Sequence, residues 1–175
     1  MSSNNLYADW LTIFGYTIIV VADDQSVYYV QFAGSKEVDR QIKRIVYNTQ
    51  LSIFFASTSF LKRVKEELKA YFAGDLYIFT FPIAFSATSF QKQVWSVLQT
   101  IPYGVTWSYQ EVANMVGKPG AFRAVAQAIR NNRCSIIIPC HRVIYKSGDS
   151  GGYAGGIKNK QFLLELEKNK KKSLS

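Results

Sequence analysis

The residues best suited to chemistry in this chain are a cysteine and a histidine that follow one another, Cys140 and His141. His141 is the only histidine, and Cys140 is one of only two cysteines. A thiol reacts as the thiolate, which a neighbouring base or cation makes available near neutral pH. The preceding isoleucines and Pro139 predict a strand that ends abruptly and exposes the thiol at its end. The alternative is that Cys140 is an inert buried thiol, as most free cysteines are.

The composition restricts the class of protein. With 175 residues, 48% of them hydrophobic, the chain can form one domain or two small ones with a buried core. No apolar run approaches the roughly 20 residues of a transmembrane helix, and the N-terminus lacks the pattern of an export signal. Cys134 and Cys140 do not form a disulfide framework, and with one histidine they are too few for a structural zinc site. We therefore expect a protein of a reducing, intracellular compartment, without a structural zinc site.

The net charge of +9 lies entirely in the second half of the chain. Residues 1–85 contain eight Lys or Arg and eight Asp or Glu, whereas residues 86–175 contain thirteen and four. A neutral half joined to a basic half is typical of a nucleic-acid-binding domain beside a separate partner domain. The lysines of residues 168–172 could instead form a solvated tail, but they account for only four of the charges.

The first half has the pattern of an α/β scaffold. Segments rich in Ile, Val, Tyr and Phe predict strands at 11–22, 26–33 and 76–83, with a hairpin at 23–25. Helical spacing of apolar residues predicts helices at 36–48 and 59–73, the second ending at Gly74. No residue of this half has the pattern of a catalytic site.

The second half is mainly helical. Ser89 is predicted to cap a first helix, and Ser108 with Glu111 has the spacing of a capping box that opens a second. A glycine-containing break at 117–120 separates the second helix from a third at about 121–130. Two short helices joined by such a turn are typical of a helix-turn-helix, with the later one as recognition helix. A last helix with Phe162, Leu163 and Leu166 buried ends the chain.

The proposed recognition helix has small side chains and one long cation. Its small residues are Ala121, Ala124, Ala126 and Ala128, and its long polar side chains are Arg123 and Gln127. Such a helix suits a narrow groove and close backbone approach, with Arg123 as a wedge or stacking group. The alternative is that the alanines pack against the domain core. Further along, Tyr153 lies between glycines at 148, 151, 152, 155 and 156, in a loop that is either merely flexible or closes on a flat ligand.

Considered together, the motifs of the second half resemble those of the O6-alkylguanine-DNA alkyltransferase family of direct-reversal DNA repair proteins. The resemblance covers about Phe90 to Glu167. Its motifs are Val94-Trp95, Ile101-Pro102-Tyr103-Gly104, Ser108-Tyr109, Arg123-Ala124-Val125, the run from Pro139 to Val143, Gly152-Tyr153-Ala154-Gly155-Gly156 and Leu163-Leu164. Residues 1–85 match only the general pattern of the family's variable N-terminal domain.

The resemblance implies a fold and a reaction. The fold is an α/β N-terminal scaffold domain, residues 1–85, with a ribonuclease-H-like sheet and helices, followed by a mainly α domain, residues 86–175, with a winged helix-turn-helix. The reaction is direct, stoichiometric transfer of the alkyl group from O6-alkylguanine, and also O4-alkylthymine, in DNA to Cys140. Because the thioether is stable, each molecule would act once as a methylated-DNA–protein-cysteine methyltransferase, without a cofactor.

The resemblance also assigns roles by position. Glu167 would orient His141, and His141 would take the proton of Cys140 through a water. Adjacent side chains of an extended segment point apart, which favours this path over direct contact.

The other residues implied in the chemistry are Asn132, which braces the site, and Tyr109, which donates to N3 of the departing guanine. The residues implied in binding the flipped base are Val143, Tyr153, Ala154 and Ile129. Those implied in binding DNA are Arg123, which fills the gap in the duplex, Ala121, Phe122, Ala124, Ala126 and Tyr109; none is implied as a metal ligand.

The implied partner is double-stranded DNA containing O6-alkylguanine, bound through the minor groove by a monomer, with no membrane involved. The implied location is the cytoplasm, on the nucleoid if the source is a prokaryote.

Three features of this sequence depart from the family pattern. Arg133 stands where the family usually has Pro, which leaves Asn131 as a substitute for Asn132. Phe122 occupies a position that is often small, and the N-terminal zinc ligands of some members are absent.

Three other functions remain open at this point. A protein of the alkyltransferase-like type would bind and sense alkylated DNA without repairing it, but such proteins lack the acceptor cysteine. A helix-turn-helix transcription regulator would usually require a cysteine-rich sensor domain. A hydrolytic cysteine enzyme would need direct contact between His141 and the thiol, and a route for deacylation.

Overall fold

The structure, a computed structural model, describes residues 5–34, 36–84 and 86–172 of the 175-residue chain. It has a mixed α/β fold whose chain divides into two compact units, Met1–Ser86 and Ala87–Ser175. None of the helices within the described residues is both long and apolar enough to cross a membrane.

The first unit is built on a four-stranded sheet. Its strands are β1 (Asn5–Ile13), β2 (Tyr16–Ala22), β3 (Val27–Phe32) and β4 (Ser52–Phe55). They lie in the order β3-β2-β1-β4. The pairs β1–β2 and β2–β3 are antiparallel, whereas β4 runs parallel to β1. Two helices flank the sheet, α1 (Lys36–Thr49) and α2 (Ser59–Ala73).

Side-chain alternation along β1 places the two helices on opposite faces of the sheet. Leu6 and Ala8 pack in one buried cluster with Val38 and Ile45 of α1. Asp9, the next residue of β1, points to the other face and forms an ion pair with Lys65 of α2. Both faces of the sheet are therefore covered, which explains why so many residues of β2 and β3 are buried.

The helices of this unit are those that the sequence predicts. For α2, the Thr58 hydroxyl accepts a hydrogen bond from the Leu61 N–H at 3.1 Å. Gly74 then ends the helix with φ of 83°, a conformation that costs glycine little. The prediction for residues 59–73 is confirmed, and α1 extends one residue beyond the predicted 36–48.

The strand predictions in the first unit are partly wrong. The predicted strand at 11–22 folds back at Phe14 and Gly15, where φ is 50° and 78°. Positive φ at both positions suits the tight turn of the β1–β2 hairpin. Because Phe14 is apolar, the sequence has no polar break that would indicate this turn. Residues 76–83 form no strand; Ile83 makes only an isolated bridge to Val27. The short edge strand β4 was not predicted, whereas the hairpin at 23–25 is confirmed.

The second unit is mainly helical. Its helices are α3 (Ser89–Thr100), α4 (Tyr109–Met115), α5 (Phe122–Arg130) and α6 (Ile157–Lys172), and its strands β5 (Trp107–Ser108) and β6 (Val143–Ile144) pair in parallel. The capping box of Ser108 and Glu111 is present at the start of α4, as predicted. Thr88, not Ser89, caps α3, because its side chain accepts a hydrogen bond from the Gln91 N–H.

Helices α3, α4 and α5 pack against one another. The indole N–H of Trp95 in α3 donates to the carbonyl of Ala128 in α5 at 2.9 Å. Between α4 and α5 the chain turns at Gly117, where φ is 74°. The predicted pair of short helices with a glycine-containing turn is therefore confirmed, with the second helix beginning at Phe122.

Candidate active site

Cys140 begins a single 3-10 turn, Cys140–Arg142, that leads into β6. The residue is only 2% exposed. The strand predicted before it is wrong, because Ile136 adopts φ of 76° and the Ile138 N–H donates back to the Cys134 carbonyl at 2.9 Å. A β-branched residue at positive φ is strained and persists only where its surroundings impose it. A folded loop, not a strand end, therefore holds the thiol.

Asn132 connects this loop to the thiol. Its amide nitrogen donates to Sγ of Cys140 at 3.1 Å and to the Ile138 carbonyl at 2.9 Å. Its side-chain oxygen accepts the N–H of Cys134 at 3.0 Å. Asn131 lies at the C-terminal cap of α5. Asn132 is thus the asparagine that contacts the thiol, even though Arg133 follows it.

His141 and Glu167 form a second buried group beside the thiol. Nε2 of His141 lies 2.8 Å from Oε1 of Glu167, and both residues are almost fully buried. Arg142 donates from Nε to the two carboxylate oxygens at 3.2 and 3.0 Å, and from Nη2 to Oε1 at 2.9 Å. The Gly104 N–H donates to Oε2 at 2.9 Å. Burial raises the pKa of Glu167, but His141 and Arg142 outweigh it and hold the pKa well below the usual range.

These contacts determine which nitrogen of His141 can accept a proton. Burial lowers the pKa of His141, although Glu167 opposes this shift. The imidazole is therefore neutral near pH 7 and has a single N–H. Since the ionised carboxylate of Glu167 only accepts hydrogen bonds, that N–H lies on Nε2. Nδ1 then carries the lone pair, and His141 can act as a base on the nitrogen remote from Glu167.

Cys140 requires such a base. Burial raises the pKa of the Cys140 thiol, and this effect outweighs the hydrogen bond from Asn132, the charge of Lys160 and the hydroxyl of Ser135, which lower it. Cys140 is therefore protonated in the resting protein. A reaction at its sulfur must begin by removing the proton.

Lys160 of α6 is an unexpected member of the site. It is 0% exposed, and its Nζ donates to the Val143 carbonyl at 2.6 Å. Burial lowers the pKa of Lys160 to about 8, whereas the charge of Cys140 acts in the opposite direction. One feature of the sequence could have indicated that Lys160 is buried, because Lys160, Leu163 and Glu167 have the spacing of one helix face. The many other lysines of α6 made Lys160 look like one more solvent-exposed residue.

Tyr109 and the glycine-rich loop approach each other closely. The rings of Tyr109 and Tyr145 have centroids 5.2 Å apart. Gly151 has φ of +66°, and a Cβ there would lie 2.9 Å from the Tyr109 hydroxyl and 3.1 Å from the Tyr145 ring. Gly151 is therefore required by this approach. Burial raises the pKa of Tyr109, with Tyr145 and Cys140 adding to the shift, so its hydroxyl remains a hydrogen-bond donor near neutral pH.

Tyr153 lies in the same loop, and its hydroxyl is buried. Burial raises the pKa of Tyr153 well above its usual value; the charge of Cys140 adds to the shift and Ser135 opposes it. Of the other residues predicted to bind a base, Val143 is buried at the start of β6, Ala154 is half-buried in a turn, and Ile129 is buried in α5.

Apart from Tyr109 of α4, the residues predicted to bind DNA lie on α5 and just before it. Phe122, Arg123 and Ala124 are exposed, Phe122 by 44%, while Ala121 and Ala126 are half-buried. The Arg123 guanidinium lies over the Phe122 ring at 5.6 Å from its centroid. The alternative that the alanines are core residues holds for Ala128, which is buried. The first turn of α5 therefore offers an exposed cation that lies over an exposed phenylalanine ring, with small alanine side chains beside them.

The structure thus brings four predicted residues together, Cys140, Asn132, His141 and Glu167. It adds three that the sequence reasoning did not assign, Arg142, Ser135 and Lys160. Among the described residues, no group of three or more His, Cys, Asp or Glu side chains could hold a metal ion.

The chain resembles known proteins in both sequence and fold. Residues 89–169 match the family model of the 6-O-methylguanine DNA methyltransferase, DNA binding domain. A methylated-DNA–protein-cysteine methyltransferase of Methanosarcina acetivorans is 40% identical over 150 residues, which cover 86% of this chain and 90% of that protein. The chain belongs to the methylated-DNA–protein-cysteine methyltransferase family.

The family relationship extends to both units. The methylated-DNA–protein-cysteine methyltransferase of Mycobacterium tuberculosis is 52% identical over 105 residues, 60% of this chain. That match covers 64% of the mycobacterial protein, less than two thirds of its length. A crystal structure of M. tuberculosis OGT in complex with DNA superimposes with a TM-score of 0.77 and 35% identity, covering 95% of this chain and 94% of that one.

Proposed function

We propose that this protein repairs DNA by transferring the alkyl group of O6-alkylguanine directly to Sγ of Cys140, once per molecule. The observation that carries the proposal is the buried Cys140 thiol, which accepts a hydrogen bond from Asn132 and is followed by a histidine paired with Glu167. Membership of the methylated-DNA–protein-cysteine methyltransferase family supports the same alkyl-transfer reaction. By the same chemistry we propose O4-alkylthymine as a second substrate.

The first step is removal of the thiol proton. Nδ1 of His141 accepts the proton of Cys140 while Nε2–H stays bonded to the Glu167 carboxylate, which stabilises the imidazolium. Successive side chains of a 3-10 turn lie about 120° apart, so a water between Cys140 and His141 carries the proton more readily than direct contact does. Asn132 donates to the sulfur and stabilises the thiolate.

The second step is in-line attack on the alkyl carbon. The S–C bond forms and the C–O6 bond breaks, and its electron pair stays on the guanine. Tyr109 donates to N3 of the departing base and so stabilises the developing negative charge. The guanine then takes up a proton, so the overall change moves one proton from the thiol to the base. The thioether does not hydrolyse, which limits each molecule to one repair.

The base reaches the thiol by flipping out of the duplex, because Cys140 is buried and cannot enter the stack. Tyr153 and Ile129 form the walls of the base pocket, and Val143 and Ala154 offer backbone groups to the base. Arg123 fills the gap that the base leaves. The small side chains around Arg123 permit close approach to the minor groove.

We also propose a function for each part of the fold. We assign α4 and α5 to a helix-turn-helix with β5 and β6 as its wing, and residues 86–175 to a DNA-binding and alkyl-acceptor domain. Residues 1–85 form a scaffold domain whose strand order and one parallel strand support a ribonuclease-H-like sheet. The protein acts as a monomer on double-stranded DNA, in the cytoplasm or on the nucleoid of a prokaryote. The sensing function is not favoured, because Cys140 is present.

The test uses duplex DNA labelled on the alkyl carbon of one O6-methylguanine. We expect the label to move irreversibly to the Cys140 peptide, one per protein molecule, as resolved by mass spectrometry from the Cys134 peptide. Label released to solvent would indicate hydrolysis. Label that remains on tightly bound DNA would indicate a sensing protein.

Arg123→Ala should slow repair of duplex DNA by roughly 10- to 100-fold, because flipping costs a few kcal/mol and each 1.4 kcal/mol is a factor of ten. The measurement is the single-turnover transfer rate on duplex and on single-stranded O6-methylguanine DNA. The single strand needs no wedge, so its rate should be nearly unchanged. An equal loss on both substrates would contradict the wedge role.

Tyr109→Phe should lower the transfer rate by about 10- to 100-fold, because it removes one hydrogen bond to developing charge while retaining the ring contact with Tyr145. The rate at saturating DNA and the DNA affinity are measured separately. A loss of affinity with an unchanged saturated rate would show that Tyr109 only binds the DNA.

A further inference from the structure

We propose that Phe122 and Arg123 form a two-residue wedge, in which the Phe122 ring enters the minor groove beside the guanidinium and stacks on the base pair next to the flipped guanine. The inference rests on the base flipping of the proposed function. It deepens that function, which assigns the task of holding the duplex open to Arg123 alone. Phe122 stands where the family often has a small residue, so the inference concerns a feature of this chain.

The first observation is the exposure of Phe122. Among the large apolar residues of α5, Val125 and Ile129 are at most 5% exposed, whereas Phe122 is 44% exposed. An apolar ring that remains in contact with water forgoes part of the stabilisation that burial gives. The Phe122 ring therefore contributes less to the core than these two residues do, and it is available to another apolar surface.

The second observation is the contact between the ring and the guanidinium. The Arg123 guanidinium carbon lies 5.6 Å from the centroid of the Phe122 ring, within the range of a cation–π interaction. A guanidinium is planar, so the face turned away from the ring can stack on a base. The contact also restricts both side chains before DNA binds, which lowers the entropy that they lose in the groove.

The third observation is the small size of the neighbouring side chains. Ala124 is exposed and Ala121 is half-buried, so methyl groups surround the ring and the guanidinium. A Cβ added at Gly120 would meet no heavy atom within 4 Å, which shows open space in front of the helix. The first turn of α5 therefore presents two long side chains above small ones. Minor-groove proteins insert apolar side chains between base pairs from surfaces of this kind.

Hydrogen bonds fix the turn that precedes α5. The side-chain amide of Gln110 in α4 donates to the Pro119 carbonyl at 2.7 Å and to Oδ1 of Asn114 at 3.0 Å. The Ala121 N–H donates to the Lys118 carbonyl at 2.9 Å. A wedge must resist the closing of the base stack, and these bonds hold the start of α5 in place relative to α4.

The charge of the surrounding sequence favours duplex DNA as the partner of the ring. Between Glu111 and Asp149 the chain has six Lys or Arg residues and no Asp or Glu. Such a segment attracts phosphates, and every base has a flat face on which an aromatic ring can stack. The base pair beside the flipped guanine offers this face, because it has lost one of its stacking neighbours.

The test compares Phe122→Ala and Phe122→Tyr with the unmodified protein. Alanine removes the ring, whereas tyrosine retains it. The matched control is Phe55→Ala, which removes a 78% exposed ring from β4 of the first unit. Single-turnover methyl transfer is measured from single-stranded O6-methylguanine DNA and from duplexes whose neighbouring pairs are A·T or G·C, with the unfolding midpoint in parallel.

We expect Phe122→Ala to transfer about tenfold more slowly from duplex DNA, because stacking on one base is worth roughly this factor or more. The deficit should be larger with G·C than with A·T neighbours, since a stronger stack closes more readily against a weakened wedge. It should be absent with single-stranded DNA. Phe122→Tyr and Phe55→Ala should transfer as the unmodified protein does.

A double variant tests whether the two side chains act together. If they form one wedge, the loss of rate in the protein with both Phe122→Ala and Arg123→Ala should be smaller than the product of the two single losses. Losses that multiply would overturn the joint action of the pair.

An equal loss on single-stranded and duplex DNA would overturn the wedge role of Phe122, and with a lower unfolding midpoint it would show that the ring is merely structural. A loss that does not depend on the neighbouring pairs would also overturn the role. So would a loss in Phe122→Tyr as large as that in Phe122→Ala.

A fluorescence measurement separates this inference from the proposed function. 2-Aminopurine placed next to the O6-methylguanine becomes brighter when its neighbour leaves the stack, whether or not a methyl group moves. We expect a smaller rise with Phe122→Ala than with the unmodified protein, and an equal rise would overturn the wedge. If the unmodified protein raised the fluorescence but transferred no methyl group, the proposed alkyl transfer would fail and the wedge would not.

Discussion

Replacing Cys140 by alanine should abolish alkyl transfer completely while the protein still binds DNA. No other described side chain combines a thiol with a base at this site, because the second cysteine, Cys134, is fully buried at the start of the same loop. The DNA-binding surface proposed on α5 is formed by other residues and does not depend on the sulfur. The measurements are transfer of label from O6-methylguanine duplex DNA and the affinity for the same duplex.

Two further variants make this result specific. Cys140→Ser retains the shape of the side chain, but the hydroxyl ionises far less readily than a thiol, so it should be as inactive as the alanine variant. Cys134→Ala should retain transfer at a rate near that of the unmodified protein. Label on Cys134 in the Cys140→Ala protein would contradict the assignment of the acceptor.

Replacing Glu167 by glutamine should be the next most damaging change. The carboxylate accepts hydrogen bonds from His141, Arg142 and the Gly104 N–H inside the fold. Glutamine is nearly isosteric but leaves the guanidinium of Arg142 buried without a counter-charge, which costs about 3–5 kcal/mol. The amide also no longer dictates that His141 carries its proton on Nε2. We expect transfer to slow at least about 100-fold, the range of a lost general base.

The exposed Glu165→Gln on the same helix is the control for this variant. It should change neither the transfer rate nor the free energy of unfolding measured in urea. If Glu167→Gln unfolded no more easily than Glu165→Gln, the buried pair with Arg142 would contribute nothing to stability. If it also transferred at the normal rate, His141 would not need the carboxylate.

Glu167 also predicts a pH dependence of stability. Its folded pKa lies below the usual value of 4.5, so the folded state favours the ionised form. The stabilisation is therefore fully present above about pH 4.5 and is lost as the pH falls further, because the unfolded state binds the proton first. Unfolding free energies between pH 3 and pH 7 should show this loss in the unmodified protein. In Glu167→Gln the loss should be smaller, since the side chain no longer titrates.

Much of the second unit could be predicted because its signals are local. The capping box of Ser108 and Glu111 and the glycine-containing turn after α4 depend on residues a few positions apart. The strands of the first unit were harder to predict from the sequence. The β1–β2 turn contains Phe14, whose left-handed conformation is imposed by the hairpin, and β4 forms only by pairing with β1, a partner distant in sequence.

The candidate active site, too, could be predicted from the sequence only in part. The Cys140-His141 pair, the family motifs around it and the basic charge of the second half were visible in the sequence and led to the alkyl-transfer reaction. The sequence alone could not show that Cys140 sits in a folded loop, because positive φ at Ile136 depends on its surroundings.

What the sequence by itself determined was the type of chemistry, because a thiol, its neighbouring base and the motifs around them are properties of residue type and spacing. What only the tertiary structure decided was the electrostatics of that chemistry. The pairing of Glu167 with Arg142 joins residues 25 positions apart, and the burial of Lys160 depends on how α6 packs. Charge and desolvation act through space, so these effects became visible only when the chain was folded.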